Sequence, residues 1–123
     1  MKRSLPDRRS GYNQKFKIDG HSVFLRTGEF DDGALGEIFI SLRKEGDELR
    51  SILNALCVAV SMGLQNGIPL EEFCSKYVLS KFQPNGVVSY HDNIKFCTSI
   101  LDAVFRDLAI NYLGQTELAH VKS

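Results

Sequence analysis

Glu29, Asp31, Asp32 and Glu37 fall close together and are interleaved with Gly28, Gly33 and Gly36. Carboxylates on a glycine-containing loop are what a hard cation such as Mg²⁺ or Ca²⁺ needs, because such ions take oxygen ligands. The spacing is not that of an EF-hand, and an exposed connection between strands uses the same residue types, so no metal is assigned. Arg26 beside Thr27-Gly28 has the chemistry to hold a phosphate or carboxylate, or to pair with a neighbouring acid. Arg26, Thr27, Glu29, Asp31, Asp32 and Glu37 are therefore the candidate ligand- or partner-binding set. His21, His91 and His120 lack metal-ligand spacing. His91 has Asp92 as a potential orienting partner, but Cys97 would not share its helical face. Cys57, Cys74 and Cys97 are odd in number and form no CxxC pair, which argues against a disulfide framework and a zinc site and for three buried, reduced thiols. Neither GxGxxG nor GxxxxGK[ST] occurs. No residue is assigned a catalytic role, and no cofactor is expected.

The elements that must position these residues follow from periodicity. Residues 14–27 read as a β-hairpin turning at Asp19-Gly20, since both positions tolerate the positive φ of a tight turn. A third strand follows from Glu37 to Lys44, with Ile38, Ile40 and Leu42 on one face and Glu37, Ser41 and Arg43 on the other beside Phe39. Asp47 to Gly67 is apolar nearly all round and is read as a buried central helix, capped by Asp47 and stopped by Gly67. Charge flanks it too closely for a membrane span. Pro69 opens a second, shorter helix carrying Leu70, Phe73, Tyr77 and Val78. Gln83-Pro84-Asn85-Gly86 is a turn with Asn-Gly in left-handed positions, and Val87 to Tyr90 is extended. A third helix is expected from about Asp92 to Leu113, with Gly114 as its stop. The fold class is α+β: a three-stranded antiparallel meander followed by three helices in two layers.

The net charge of zero conceals an asymmetry. Residues 1–17 hold Lys2, Arg3, Arg8, Arg9, Lys15 and Lys17 against Asp7 alone, a net of +5 that the remainder balances. Residues 1–13 read as a basic flexible arm and residues 14–121 as one domain. Lys2, Arg3, Arg8 and Arg9 are candidate phosphate or nucleic-acid contacts, with a solubilising tail or an arm folded back on the acidic body as the competing uses. The basic N-terminus has no apolar stretch after it, so no secretory signal is expected and the location is cytoplasmic.

The run Arg26-Thr27-Gly28-Glu29, then Asp32-Gly33 and Leu35-Gly36-Glu37-Ile38-Phe39-Ile40, resembles the C-terminal region of adenosylcobalamin-dependent (class II) ribonucleotide reductases. Lys44-Glu45-Gly46, Gly63-Leu64-Gln65, Gly67 to Phe73, Lys81 to Pro84 and Gly86 continue the likeness, as do Asp92, Ile94-Lys95, Thr98 to Asp102, Phe105-Arg106, Leu108-Ala109, Tyr112 to Gly114 and Leu118 to Val121. This region is similar to the TSCPD domain, found at the end of such reductases and as small separate proteins. The family's catalytic barrel, with its radical-forming cysteine, reducing pair and cobalamin site, does not fit in this chain, and its paired tail cysteines have no counterpart before Lys122-Ser123. The eponymous Thr-Ser-Cys-Pro-Asp string is absent, so no ligand site is carried over.

The resemblance implies a ribonucleotide-reductase-related accessory or regulatory module linked to deoxyribonucleotide supply, with a reductase large chain as partner. The alternative, from another class, is a nucleic-acid or nucleotide-binding module whose basic arm holds phosphates while Tyr12, Phe16 or Phe24 stacks bases. A metal enzyme built on the acidic loop is a third reading. A homodimer is compatible with each, and a membrane partner is not expected.

Overall fold

The computed structural model describes residues 2–43 and 46–121. The chain divides into two compact units, Met1–Gln14 with Val23–Pro69, and Lys15–Ser22 with Leu70–Ser123. In chain order the strands are β1 (Asn13–Ile18), β2 (His21–Glu29), β3 (Leu35–Leu42), β4 (Gly86–Ser89) and β5 (Phe96–Cys97). The helices are α1 (Asp47–Gln65), α2 (Leu70–Tyr77) and α3 (Ile100–Leu113), followed by one 3₁₀ turn, Thr116–Leu118. The expected meander is present as part of an antiparallel sheet ordered β3-β2-β1-β4-β5. No helix among the described residues is long and apolar enough to cross a membrane.

In the first unit, β2 and β3 pair from Val23↔Leu42 to Glu29↔Leu35, with a register shift at Gly28/Glu29. Val23, Leu25, Thr27, Ile38, Ile40 and Leu42 are buried, while Arg26, Phe39 and Ser41 face solvent, as alternation demands. The strand pair reaches further into the expected loop than the sequence suggested, leaving a short turn at 31–33. Lys44, expected to end β3, lies outside the described residues.

Helix α1 corrects two expectations. Its N-cap is Gly46, with no side-chain cap, so Asp47 is the first helical residue and supports the helix through its charge. Only Leu53, Cys57, Val60 and Leu64 are buried, a stripe along one face, while Ile52, Val58 and Met62 are exposed. The helix is amphipathic, where the sequence suggested one apolar nearly all round. Its stop is as expected: Gly67 takes φ 95°, and the Ile68 and Gly67 amides donate to the Gly63 and Leu64 carbonyls at 2.9 and 3.2 Å, the paired bonds of a Schellman ending.

In the second unit the buried helix is α3, where Leu101, Ala103, Val104, Phe105, Leu108 and Ala109 are all enclosed. It begins at Ile100 rather than near Asp92. Ile94 and Cys97 do lie at helical spacing before Leu101, but Phe96 and Cys97 pair with Val87 and Gly86 on β4. The free edge of β4 supplies backbone partners that a local helix would have to forgo. Ser99, extended at φ −166°, then caps α3 by accepting the Asp102 amide at 2.9 Å, and Gly114 closes it in the left-handed region at φ 66°. Phe16, Ile18 and Val88 complete this core, with the Tyr77 and Phe105 rings 4.9 Å apart between α2 and α3. The hairpin turn has the expected form, Asp19 and Gly20 at φ 47° and 83°. In the later turn only Gly86 is left-handed; Asn85 is not.

Candidate functional site

The acidic loop and the basic arm meet in the first unit. Arg3 pairs with Asp32 at 3.1 Å and lies 3.9 Å over the Phe30 ring, and Arg9 pairs with Glu37 at 2.8 Å. The arm therefore takes the folded-back course. Asp32 accepts the Ala34 amide through its other oxygen, and that bond, helped by Arg3, holds its carboxyl below the usual aspartate value. The Arg3 amide donates to the Gln65 carbonyl, and the Glu29 and Thr27 amides donate to Ser10 and Tyr12. Thr27 is buried, its hydroxyl accepting the Tyr12 amide at 2.9 Å, so it positions the arm rather than a ligand. Arg26 lies 4.4 Å over Phe39 on the outer face. Asp31, Lys2 and Arg8 are exposed, and Glu29 is half-buried. The predicted set thus splits between an arm clasp (Arg3, Arg9, Asp32, Glu37) and the sheet surface. No group of three His, Cys, Asp or Glu side chains among the described residues is arranged to hold a metal ion.

One face of α1 serves the backbone of β3. Ser61 Oγ accepts the Ile38 amide at 3.0 Å, and Gln65 Nε2 donates to the Gly36 carbonyl at 3.1 Å. Residues four apart on a helix thus meet residues two apart on a strand. Beside this seam is a groove of about 210 Å³ bounded by Phe39, Val58 and Met62. A second cleft, of about 540 Å³, is lined by Ser41, Asp47, Arg50, Ser51 and Asn54.

The second unit holds a denser polar network that the sequence reading did not single out. Asp102, 1% exposed, accepts the Leu79 amide at 2.6 Å, the Thr98 amide at 3.0 Å and Arg106 Nε at 2.9 Å. Arg106 reaches on to the Leu118 carbonyl. Thr98 Oγ1 donates to the Ser80 carbonyl at 2.7 Å, and the Ser80 and Ser99 hydroxyls are hydrogen-bonded to each other at 2.8 Å. His91 is buried against Asp107, Nε2 to Oδ2 at 2.7 Å, where Asp92 was the expected partner. Its Nδ1 accepts the Asn93 and Ile94 amides at 3.1 Å each, which leaves the ring hydrogen on Nε2. Two aspartates inside the apolar run of α3 were the available signal, because a buried carboxylate must be paired.

All three cysteines are free and buried, and burial pushes each thiol up to about 11. That places them among inert structural thiols. Cys97 sits on β5, not on the third helix as expected. Phe16, a candidate base-stacking ring, is enclosed and meets His91 edge-on.

The class these features define is an α+β module whose polar side chains are spent on capping, edge covering and arm docking. The TSCPD domain family matches residues 1–112, and the chain belongs to it. It is 55% identical over 117 residues to the vitamin B12-dependent ribonucleotide reductases of Bradyrhizobium diazoefficiens and Agrobacterium fabrum, covering 95% of this chain and 9% of those proteins. It is 34% identical over 113 residues to the vitamin B12-dependent ribonucleotide reductase of Streptomyces coelicolor, covering 92% of this chain and 12% of that one. The chain thus spans a small fraction of the length of the relatives it matches. No solved structure matches it significantly. Thr98-Ser99-Ile100-Leu101-Asp102 keeps the Thr, Ser and Asp of the family's eponymous string at the same spacing, and in this structure those three build the entry to α3.

Proposed function

We propose that this domain works with a vitamin B12-dependent ribonucleotide reductase in deoxyribonucleotide supply, as an accessory or regulatory module that does not itself perform the reduction. The observation that carries this is the 55% identity over 95% of the chain to a segment that makes up 9% of such reductases. The chemistry agrees, since thiols pushed up to about 11 are poor nucleophiles and poor reductants. The surface that would meet the reductase is the exposed apolar face of α1 formed by Val58 and Met62 with Phe39 on β3. Apolar side chains of this size gathered on one helix face mark an interaction surface. The acidic loop is less suited, because Asp32 and Glu37 are already paired with the arm.

The test is to add the purified chain to a B12-dependent reductase that lacks this segment, and to measure co-migration, reduction rate and effector response. Binding with a changed rate is expected, and Val58→Glu with Met62→Glu should abolish both while leaving the circular dichroism unchanged. Neither binding nor any effect on rate would overturn the reading.

A further inference from the structure

We propose that the open face of the sheet in the second unit is a stacking platform for single-stranded nucleic acid, an assignment independent of the reductase reading. Phe16, Ile18, Val88 and Cys97 turn one side of β1, β4 and β5 into the core, so the alternate residues form the other side. That side carries Val87 and Phe96, directly opposite each other in the ladder and 67% and 57% exposed, and next to it Tyr90, 76% exposed. The Phe96 ring lies on the His120 ring at 3.8 Å and 18°, which fixes one aromatic plane with its second face towards solvent. His120 is itself held by the Lys95 amide, which donates to its Nδ1 at 3.0 Å.

Tyr90 adds an independent observation. Its φ is 66°, a conformation that costs a bulky residue of order 1 kcal/mol or more and that glycine or asparagine would adopt more cheaply. Lys17 Nζ lies 5.6 Å from that ring and Lys15 is on the same face two residues earlier, while the Lys95 ammonium is held by the His91 carbonyl at 2.6 Å. Asp19 in the hairpin turn and Asp92 after Tyr90 are the nearby acids in sequence. Exposed rings between lysines are the combination that takes up bases and phosphates of a flexible strand. A protein-docking face would have few lysines at its centre, as the apolar face of α1 does.

The test is fluorescence anisotropy of a labelled 12-nucleotide oligothymidylate with the full chain. Saturable binding is expected, stronger than to a duplex, falling with salt at a log–log slope of about −1.4 for two phosphates neutralised. Phe96→Ala should weaken it about 5- to 100-fold by removing one stacking surface. Tyr90→Gly should weaken it similarly while the melting temperature holds or rises, which separates a ring kept for binding from one kept for stability. Lys17→Gln should flatten the salt slope by about 0.7. Absence of saturable binding, or variants that bind like the parent, would overturn the proposal. So would capture of a protein by a crosslinker placed at residue 96 that the oligonucleotide fails to displace.

Discussion

Ser61 stands where a neighbouring strand would stand for Ile38: its hydroxyl accepts the Ile38 amide at 3.0 Å and lies 3.4 Å from the Ile38 carbonyl. β3 is the end strand of the sheet, and an open edge invites pairing with another chain. α1 closes it through Ser61 and Gln65 because four helical residues advance about 6.0 Å and two strand residues about 6.7 Å, near enough to stay in step from one contact to the next. Ser61→Ala should therefore cost about 1–2 kcal/mol by leaving the half-covered Ile38 amide without its partner. Urea unfolding would measure the loss, and light scattering should show faster aggregation than for an exposed control such as Ser51→Ala.

Asp102 is the residue whose loss should be felt most. Replacement by Ala removes the acceptor of two amides and strands the largely covered Arg106 guanidinium. A cost of about 3–5 kcal/mol is expected, against about 1–2 kcal/mol for Ser99→Ala, which removes the cap and the bond to the Ser80 hydroxyl. Denaturant midpoints of the two variants, compared with the parent, check the order.

The thiols give a pH dependence of known sign. Each is pushed by burial from 9.0 up to about 11, so the folded chain holds these protons more tightly than the unfolded one. Their contribution to stability is complete below pH 9 and is lost as pH rises towards 11. Melting temperatures should fall across that window. At pH 8 a disulfide reagent should label Cys57, Cys74 and Cys97 only after denaturant is added.

Gly11 tests the arm. A Cβ there would be driven into the Thr27 carbonyl, a backbone atom that cannot turn aside. Gly11→Ala should push the arm off β2 and release Arg9 from Glu37. Protease cleavage after Arg8 and Arg9 should then run faster than in the parent, and Arg9→Ala should reproduce part of that change at a stability cost below about 1 kcal/mol.

What the sequence determined by itself was local. Asp19-Gly20 could make its tight turn without help, Gly67 could end α1, and Ile38, Ile40 and Leu42 could only share a face, because φ/ψ preference and side-chain period act within a few residues. The family was legible for a similar reason, since the order and spacing of its motifs are properties of the chain. Tertiary structure decided what depended on partners distant in sequence. Ile94 to Cys97 had helical spacing yet became strand because β4 offered an edge. The apolar surround of α1 did not bury it, because only one side of it met β3, whereas α3 was enclosed. The carboxylates of the acidic loop looked available until Arg3 and Arg9 reached Asp32 and Glu37. Asp102 and Asp107 looked like interruptions of an apolar helix until Leu79, Thr98, Arg106 and His91 closed on them. In each case at least one deciding partner came from another element, whose approach only the folded chain supplies.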